Sequence, residues 1–102
     1  MVAVLENKFD AIEALCRRYG VVRLFVFGSA LRDDFREGES DVDLLVEFGP
    51  MDPFALVDAY FGLLNAFRGL LGTKVDLVMS DAIKNRYIAA EVDRTKQILY
   101  AA

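Results

Sequence analysis

Two aspartates placed two positions apart are the side chains of this chain best suited to chemistry. They are Asp41 and Asp43, at the start of the segment DVDLLVEF. Alternate residues of a strand project from one face, so the two carboxylates would leave that face with Cα atoms about 6.6–7 Å apart. Carboxylates at this spacing can share one hard divalent cation, or bracket two cations about 3.5–4 Å apart. The same pattern is also common at ordinary strand ends, so it needs support from elsewhere in the chain.

A third carboxylate provides part of that support. Apart from Lys74 at its first position, Asp76 is the only charged residue of its predicted strand, with Val75 and Leu77 as neighbours. If this strand lies beside the one that carries Asp41 and Asp43, all three carboxylates can meet on one face. Burying an unpaired carboxylate is costly, and neighbouring carboxylates raise one another's pKa values. A bound Mg²⁺ would remove both costs, so we expect a metal site at Asp41, Asp43 and Asp76.

The turn after the preceding apolar segment could bind phosphate. Gly28 ends the run RLFVF, and Ser29 follows it. A glycine lets the backbone approach a phosphate closely, and Ser29 would add a hydroxyl and an amide at the N-terminus of a short helical turn. Ser29 is also a suitable N-cap for that turn. A lone Gly-Ser carries little information, but its position before Asp-x-Asp makes it a candidate phosphate site.

The composition excludes several classes of function. The chain has 102 residues, no histidine and one cysteine, so histidine-based triads, histidine-ligated zinc and internal disulfides are excluded. Cys16 lies on the apolar side of a predicted helix, as a small buried side chain would. The net charge is -4 and no run of Lys or Arg is present, so stable binding to DNA or RNA is not expected. We found no signal peptide or membrane span, and expect a soluble, cytoplasmic protein forming one domain over residues 1–102.

Hydrophobic periodicity predicts helices alternating with strands. A helix containing Leu5 to Tyr19 and capped by Gly20 comes first, followed by a strand at 23–27 that is covered on both faces. Further strands are predicted at 41–48, 74–79 and 97–100. A helix from 54 to 71 begins after Asp52-Pro53 and ends before Gly72, and another runs from Ser80 or Asp81 to about Val92. The expected fold is α/β (α+β), with one mixed sheet of about four strands flanked by helices.

With these features in place, the string FGSALRDDFREGESDVDLLVEF resembles the signature of the minimal nucleotidyltransferases of the DNA polymerase beta superfamily. That signature is Gly-Ser, a spacer of about ten residues, Asp-x-Asp, and a later strand carboxylate. The resemblance implies a nucleotidyltransferase fold and two Mg²⁺ ions, for which Mn²⁺ can substitute, with ATP as substrate. Asp41, Asp43 and Asp76 would be the catalytic metal ligands, and Asp76 would assist deprotonation of the attacking hydroxyl.

By the same resemblance, Gly28 and Ser29 would hold the β- and γ-phosphates of the nucleotide. Arg32 either reaches a phosphate as well or is simply exposed to solvent. The spacer after Ser29 has eleven residues, one more than the commonest form. Asp33 follows Arg32 where many relatives have glycine. We expect the loop to absorb the extra residue near Gly38.

The short chain leaves little room for a separate domain that binds the acceptor. The acceptor is therefore expected to bring its own recognition surface, as a partner protein or a second copy in a dimer would. The helix at 54–71 is apolar around most of its circumference, with one side formed by Phe54, Val57, Phe61, Leu64, Phe67 and Leu71. A second flank contains Leu56, Tyr60, Leu63 and Leu70. We expect this second flank to form an interface in a homo- or hetero-oligomer.

Single-domain minimal nucleotidyltransferases that resemble this chain act as antitoxins beside a helical HEPN-family RNase toxin. The resemblance therefore implies that AMP is transferred from ATP to a tyrosine hydroxyl of that toxin. Two other hypotheses stay open: a catalytically idle antitoxin that neutralises its partner by stoichiometric contact, and nucleotidyl transfer to a small molecule. The intact set of carboxylates favours the enzyme, because a pure binding protein has no physical need for three converging charges.

Overall fold

The computed structural model describes residues 4–32, 34–36 and 39–102, and a four-stranded mixed sheet lies at its centre. The strands are β1 (Val21–Phe27), β2 (Val42–Phe48), β3 (Val75–Met79) and β4 (Gln97–Ala101). Their order across the sheet is β3-β2-β1-β4. β1 is antiparallel to β2 and β4, whereas β2 and β3 are parallel. The predicted fold class, a mixed sheet of about four strands with flanking helices, is confirmed.

Two helices cover one face of this sheet. They are α1 (Phe9–Arg18) and α2 (Pro53–Leu71). Ile12 and Cys16 of α1 pack in one apolar cluster with Leu63 and Phe67 of α2. The strands contribute their alternate, helix-facing side chains to the same cluster, namely Leu24, Val26, Val42, Leu44, Val46, Val75 and Leu77. This single core fixes the strands that carry the candidate site.

The opposite face of the sheet is only partly covered. The third helix, α3 (Arg86–Thr95), lies over it, since Ala89 and Val92 line one cavity together with Phe25 and Leu45. Phe25 and Phe27 of β1 are therefore partly exposed, whereas Leu24 and Val26 are buried. The expectation that β1 is covered on both faces is wrong, because α3 spans only part of this side. The open part is where polar side chains can meet a ligand.

The long helix α2 begins and ends at the predicted residues. The Asp52 carboxylate accepts a hydrogen bond of 2.9 Å from the Ala55 amide, and Pro53 occupies the first turn. Gly72 closes the helix with a left-handed backbone, at φ +65°. By length and composition α2 would also suffice to cross a membrane, a test that the core helices of soluble proteins pass too. In this fold it connects β2 to the parallel strand β3, which needs such a crossover.

Two predicted helix boundaries are wrong. Residues 80–82 form a short 3-10 helix rather than the start of α3, and Ser80 and Asp81 make no side-chain cap. The helix begins instead after Asn85, whose Oδ1 accepts hydrogen bonds from the amides of Tyr87 and Ile88. At the N-terminus, α1 begins at Phe9, and Leu5 is buried in a turn before it. Ser80-Asp81 has the residue types of a cap, but in the structure it ends β3.

Candidate active site

The aspartates of adjacent strands meet at one end of the open sheet face. Asp43 of β2 and Asp76 of β3 are direct partners in the parallel ladder. Side chains of register partners project from the same face, so the two carboxylates stand side by side. The predicted neighbourhood of Asp76 and the Asp-x-Asp pair is therefore present. Asp41 was predicted to be the first residue of this strand, but β2 begins at Val42, so Asp41 lies one residue before it.

The three carboxylates differ in environment. Asp43 is half-buried, whereas Asp41 and Asp76 are exposed. Burial raises the pKa of the Asp43 carboxyl above its ordinary value of 3.8, and the negative charges of Asp76 and Asp41 raise it further. A hydrogen bond from the Ser29 amide lowers it in part. Asp43 is thus the carboxylate at which a cation would relieve the most unfavourable interactions.

The Gly28-Ser29 turn lies directly against Asp43. The residues Gly28–Leu31 form a 3-10 helix after β1, and Gly28 has a left-handed backbone, at φ +67°. The Ser29 amide donates a hydrogen bond of 3.3 Å to Oδ2 of Asp43. The Ser29 hydroxyl donates to the main-chain carbonyl of Asp41 at 2.5 Å. The expectation that Ser29 caps the short helix is wrong, because the helix begins at Gly28 and Ser29 lies inside it, with its hydroxyl bonded to Asp41.

Two open depressions flank this group of residues. On the β3 side, a cleft of about 530 Å³ is lined by Asp41 and Asp76 together with Arg68, Thr73 and Lys74. On the β1 side, a groove of about 430 Å³ is lined by Gly28, Leu31 and Arg32, by Glu91 and Thr95 of α3, and by Gln97 at the start of β4. Asp41 and Asp76 therefore border the first space and Gly28 borders the second.

Arg32 lies in the groove beside Gly28 and is largely exposed. Its Nε is 3.6 Å from the Asp34 carboxylate, an exposed pair that would yield readily to a phosphate. Both interpretations of Arg32, phosphate contact and simple exposure, are compatible with this position. Asp33 and Gly38, which bear on the expected path of the loop, lie outside the described residues.

Lys74 and Arg68 were not singled out in the sequence. Lys74 stands two positions before Asp76, and its carbonyl accepts a 2.9 Å hydrogen bond from the Val42 amide. This bond extends the ladder and brings Lys74 beside Asp41. The alternation of β3 could have identified Lys74 as a residue of the same face as Asp76. Arg68 could not be found in this way, because the last turn of α2 meets β3 only in the fold.

As the side chains stand, no three His, Cys, Asp or Glu residues among 4–32, 34–36 and 39–102 are close enough to hold a metal ion. A closed protein cage is not what a magnesium–nucleotide site uses. Mg²⁺ is held by one or two carboxylates, with water and substrate phosphates as the other ligands. Asp43 and Asp76, side by side and with an unfavourable charge at Asp43, fit that type of site.

A separate cavity of about 310 Å³ lies beneath α3 and contains none of the predicted site residues. Its charged side chains are paired, Arg23 with Glu47 at 2.7 Å and Lys96 with Asp93 at 2.9 Å. Lys96 also lies over the ring of Phe25, 4.3 Å from its centroid. The first pair joins β1 to β2, and the contact of Lys96 with Phe25 joins the end of α3 to the sheet, so the cavity has a structural explanation.

Comparison with known proteins identifies the class. The family described as "Nucleotidyltransferase domain" matches residues 10–99, and the chain therefore belongs to this family. Two curated relatives are protein adenylyltransferase MntA of Thermococcus cleftensis and a candidate protein adenylyltransferase, MJ0128, of Methanocaldococcus jannaschii. The first is 41% identical over 71 residues, which are 70% of this chain and 68% of the relative. The second is 39% identical over 79 residues, 78% of this chain and 76% of the relative.

Solved structures agree on the fold. A candidate minimal nucleotidyltransferase superposes with a TM-score of 0.67 and 35% identity, covering 91% of this chain and 90% of that one. The antitoxin–toxin complex of Shewanella oneidensis, described as a tri-AMPylated HEPN toxin with MNT antitoxin, matches with a TM-score of 0.63. Its identity is 20%, over 95% of this chain and 72% of that one, so it supports the fold alone. The predicted resemblance to minimal nucleotidyltransferases is confirmed, and the chain is a nucleotidyltransferase.

Proposed function

We propose that this nucleotidyltransferase transfers AMP from ATP to a tyrosine hydroxyl of a partner protein, a helical HEPN-family toxin, and so acts as its antitoxin. The observation that carries the proposal is the register pairing of Asp43 with Asp76, beside the Gly28-Ser29 turn. A site of this form joins a place for nucleotide phosphates to a place for divalent metal ions. The names of the relatives, protein adenylyltransferases, support a protein as the acceptor. The HEPN partner and its modification by AMP are carried over to this chain from the S. oneidensis complex as part of the proposal.

In this proposal Asp41, Asp43 and Asp76 hold two Mg²⁺ ions, or Mn²⁺ in their place, together with phosphate oxygens of ATP. Bound there, the ions would neutralise the charge that develops on the transferred phosphoryl group. The Gly28-Ser29 turn borders the β- and γ-phosphates with its backbone, while the Ser29 amide and hydroxyl stay bonded to Asp43 and Asp41. Arg32 contacts the same phosphates from the adjoining groove. This arrangement leaves the α-phosphate nearest to the carboxylates.

The cleft on the β3 side is then the approach of the acceptor. The tyrosine oxygen forms a bond to the α-phosphorus while the bond from that phosphorus to the bridging oxygen breaks, and pyrophosphate leaves. The hydroxyl proton passes to the exposed carboxylate of Asp76, which lines this cleft. An in-line displacement needs acceptor and leaving group on opposite sides, and the two depressions provide those sides.

The partner would contact the exposed side of α2. Phe54 is 86% exposed, Phe61 56% and Val57 54%, and these residues follow one stripe of the helix at spacings of three and four. The expected interface was the flank of Leu56, Tyr60, Leu63 and Leu70. That assignment is wrong for Leu63, which is buried in the core, whereas Leu56, Tyr60 and Leu70 are only partly exposed. The apolar stripe left for a partner is therefore the neighbouring one.

The experiment for the transfer reaction combines this protein with the product of its neighbouring gene, ATP and Mg²⁺. Intact mass spectrometry should show one or more added AMP groups on the partner, located on tyrosine by peptide sequencing. Asp41→Asn should abolish the addition, since an amide is a poor ligand for Mg²⁺. Asp10→Asn, which removes an exposed carboxylate of α1 outside the site and outside the exposed stripe of α2, is the matched control and should leave it intact.

The stoichiometric antitoxin is the second candidate, and the apolar stripe of α2 favours it independently of the carboxylates. Neutralisation of the toxin that persists unchanged in Asp41→Asn, with no added mass, would establish this candidate and reject the enzyme. Phe54→Ala combined with Phe61→Ala should weaken the complex at least tenfold in either case. Asn65→Ala, an exposed polar residue of the same helix, provides the comparison. Modification of small molecules in place of the partner would identify the third candidate.

A further inference from the structure

We propose that the Gly28-Ser29 turn has a second task besides binding phosphate: it holds the Asp43 carboxylate in the orientation that a metal ion requires. Ser29 is in this respect a positioning residue. The inference rests on the proposed function, because the metal ligands concerned are those of the same site. A turn that only gripped phosphate would not need contacts with Asp41 or Asp43.

Ser29 contacts both members of the Asp-x-Asp pair. Its amide donates to Oδ2 of Asp43 at 3.3 Å, and its hydroxyl lies 3.5 Å from the same oxygen. The hydroxyl also donates to the main-chain carbonyl of Asp41. One residue of the turn thus fixes the side chain of Asp43 and the backbone of Asp41. These contacts connect the phosphate turn to the aspartate pair in the absence of nucleotide.

The position of the Asp43 carboxylate also restricts residue 28 to glycine. A Cβ added to Gly28 would overlap Oδ2 of Asp43, so the carboxylate occupies the space that any side chain at this position would take. The backbone of Gly28 is left-handed, at φ +67°, which by itself favours glycine. Gly72 has nearly the same backbone, at φ +65°, and no atom within 4 Å of its added Cβ. A comparison of alanine substitutions at Gly28 and Gly72 therefore separates the effect of backbone strain from the effect of contact with Asp43.

The need for such a support follows from charge. Asp43 is half-buried and faces the negative charges of Asp76 and Asp41. Without a donor, repulsion would favour a rotamer that turns the carboxylate away from them. The Ser29 amide offsets this repulsion by donating to Oδ2, the oxygen that lies against Gly28. Loss of a group that orients a metal ligand in this way commonly lowers the metal affinity by roughly 10- to 100-fold.

The test measures Mn²⁺ binding without nucleotide, by electron paramagnetic resonance of free Mn²⁺ and by thermal shift. Asp43→Asn defines complete loss. We expect Ser29→Ala to weaken Mn²⁺ binding about tenfold, the lower end of that range, because its backbone amide remains. Ser29→Thr keeps the hydroxyl and should restore most of the affinity. Gly28→Ala should lose more than Ser29→Ala, since its methyl group displaces Oδ2 of Asp43.

Two controls and two outcomes decide the inference. Gly72→Ala carries the same backbone strain, and Ser80→Ala removes a serine at the far end of β3, so both should bind Mn²⁺ as the wild type does. If Ser29→Ala and Gly28→Ala bind Mn²⁺ normally and are deficient only in ATP binding, the turn serves phosphate alone and this inference is overturned. The proposed function survives that outcome. Absence of Mn²⁺ binding in the wild type would instead remove the metal site and the inference together.

Discussion

Asp43 and Asp76 occupy the same level of two parallel strands, so their carboxylates leave the sheet as direct neighbours. Neither strand has a basic residue at that level to separate them. This pairing is unfavourable for a protein without metal, and Asp43 bears the cost because it is the more buried of the two. The site is therefore built for a cation at the expense of the unliganded fold.

The first prediction concerns the stability of the metal-free protein. In EDTA at neutral pH, Asp43→Asn should melt at a higher temperature than the wild type. An amide removes the cost of burying a charge and the repulsion from Asp76 and Asp41, while it can still accept from the Ser29 amide. Scanning calorimetry measures the difference. Asp58→Asn removes an exposed charge of α2 and should change the melting temperature little. A lower melting temperature for Asp43→Asn would contradict the assignment.

The sign of its pH dependence follows from linkage. The pKa of the folded Asp43 carboxyl is raised above 3.8, so the native state retains this proton at pH values where the unfolded state has released it. The contribution of Asp43 to stability is therefore fully present below pH 3.8 and is lost as pH rises through the folded pKa. The advantage of Asp43→Asn should be largest at neutral pH and should shrink as the pH falls through this window.

The second prediction separates the two faces of α2. Phe67 is fully buried, and Phe67→Ala should lower the free energy of unfolding by about 3–5 kcal/mol, the usual cost of such a cavity. Phe54 is 86% exposed, and Phe54→Ala should change it by no more than about 0.5 kcal/mol. Urea denaturation of the isolated protein measures both. A large loss for Phe54→Ala would mean that the side chain supports the fold and is not free for a partner.

The third prediction concerns the only cysteine. Burial in the core raises the pKa of the Cys16 thiol to about 12, and the charge of Glu13 adds to the effect. Because the thiolate is the reactive form, the native protein should react very slowly with iodoacetamide at pH 8. Labelling should follow the unfolding transition when urea is added, as mass spectrometry can show. Rapid labelling of the native protein would place Cys16 outside the core.

The fourth prediction concerns the start of α3. Asn85→Ala removes the acceptor for the amides of Tyr87 and Ile88 and should lower the free energy of unfolding by about 1 kcal/mol. Asn85→Asp keeps the acceptor and should retain most of that energy. Asp81→Ala is the informative comparison, because Asp81 makes no capping bond. Equal losses for Asp81→Ala and Asn85→Ala would mean that the helix begins earlier.

Much of the site could be predicted from the sequence because its residues lie on regular strands. Alternate residues of a strand project from one face, so Asp41 and Asp43 were expected to share a face, although Leu45 on that face is buried. The long helix after it provides the crossover that a parallel neighbour needs, and β3 does lie alongside β2 with Asp76 beside Asp43. The contact of Ser29 with Asp41 and Asp43 could not be predicted, since it depends on how the residues after Gly28 fold back across the strand end.

The errors have physical causes too. The start of α3 was misplaced because serine and aspartate suit the end of a strand as well as the start of a helix. The exposed side of α2 was misassigned because a helix apolar nearly all round has no polar stripe to mark its solvent face. Which of Leu63 and Phe61 is buried is decided by the sheet beneath the helix. Arg68 lines the cleft because the packing of α2 on the sheet places its last turn beside β3.

The excursion between β1 and β2 is fastened where it begins and where it returns. Ser29 holds the carbonyl of Asp41, and on the other side the Thr73 hydroxyl lies 3.4 Å from the carbonyl of Ser40. With both ends anchored to the body of the protein, Asp41 is held in place relative to the turn and to β3. The first part of the eleven-residue spacer belongs to the core, because Ala30 is buried and Leu31 and Phe35 pack against the same cluster. Insertions after Phe35 can therefore vary the surface shown to an acceptor while the two aspartates keep their positions.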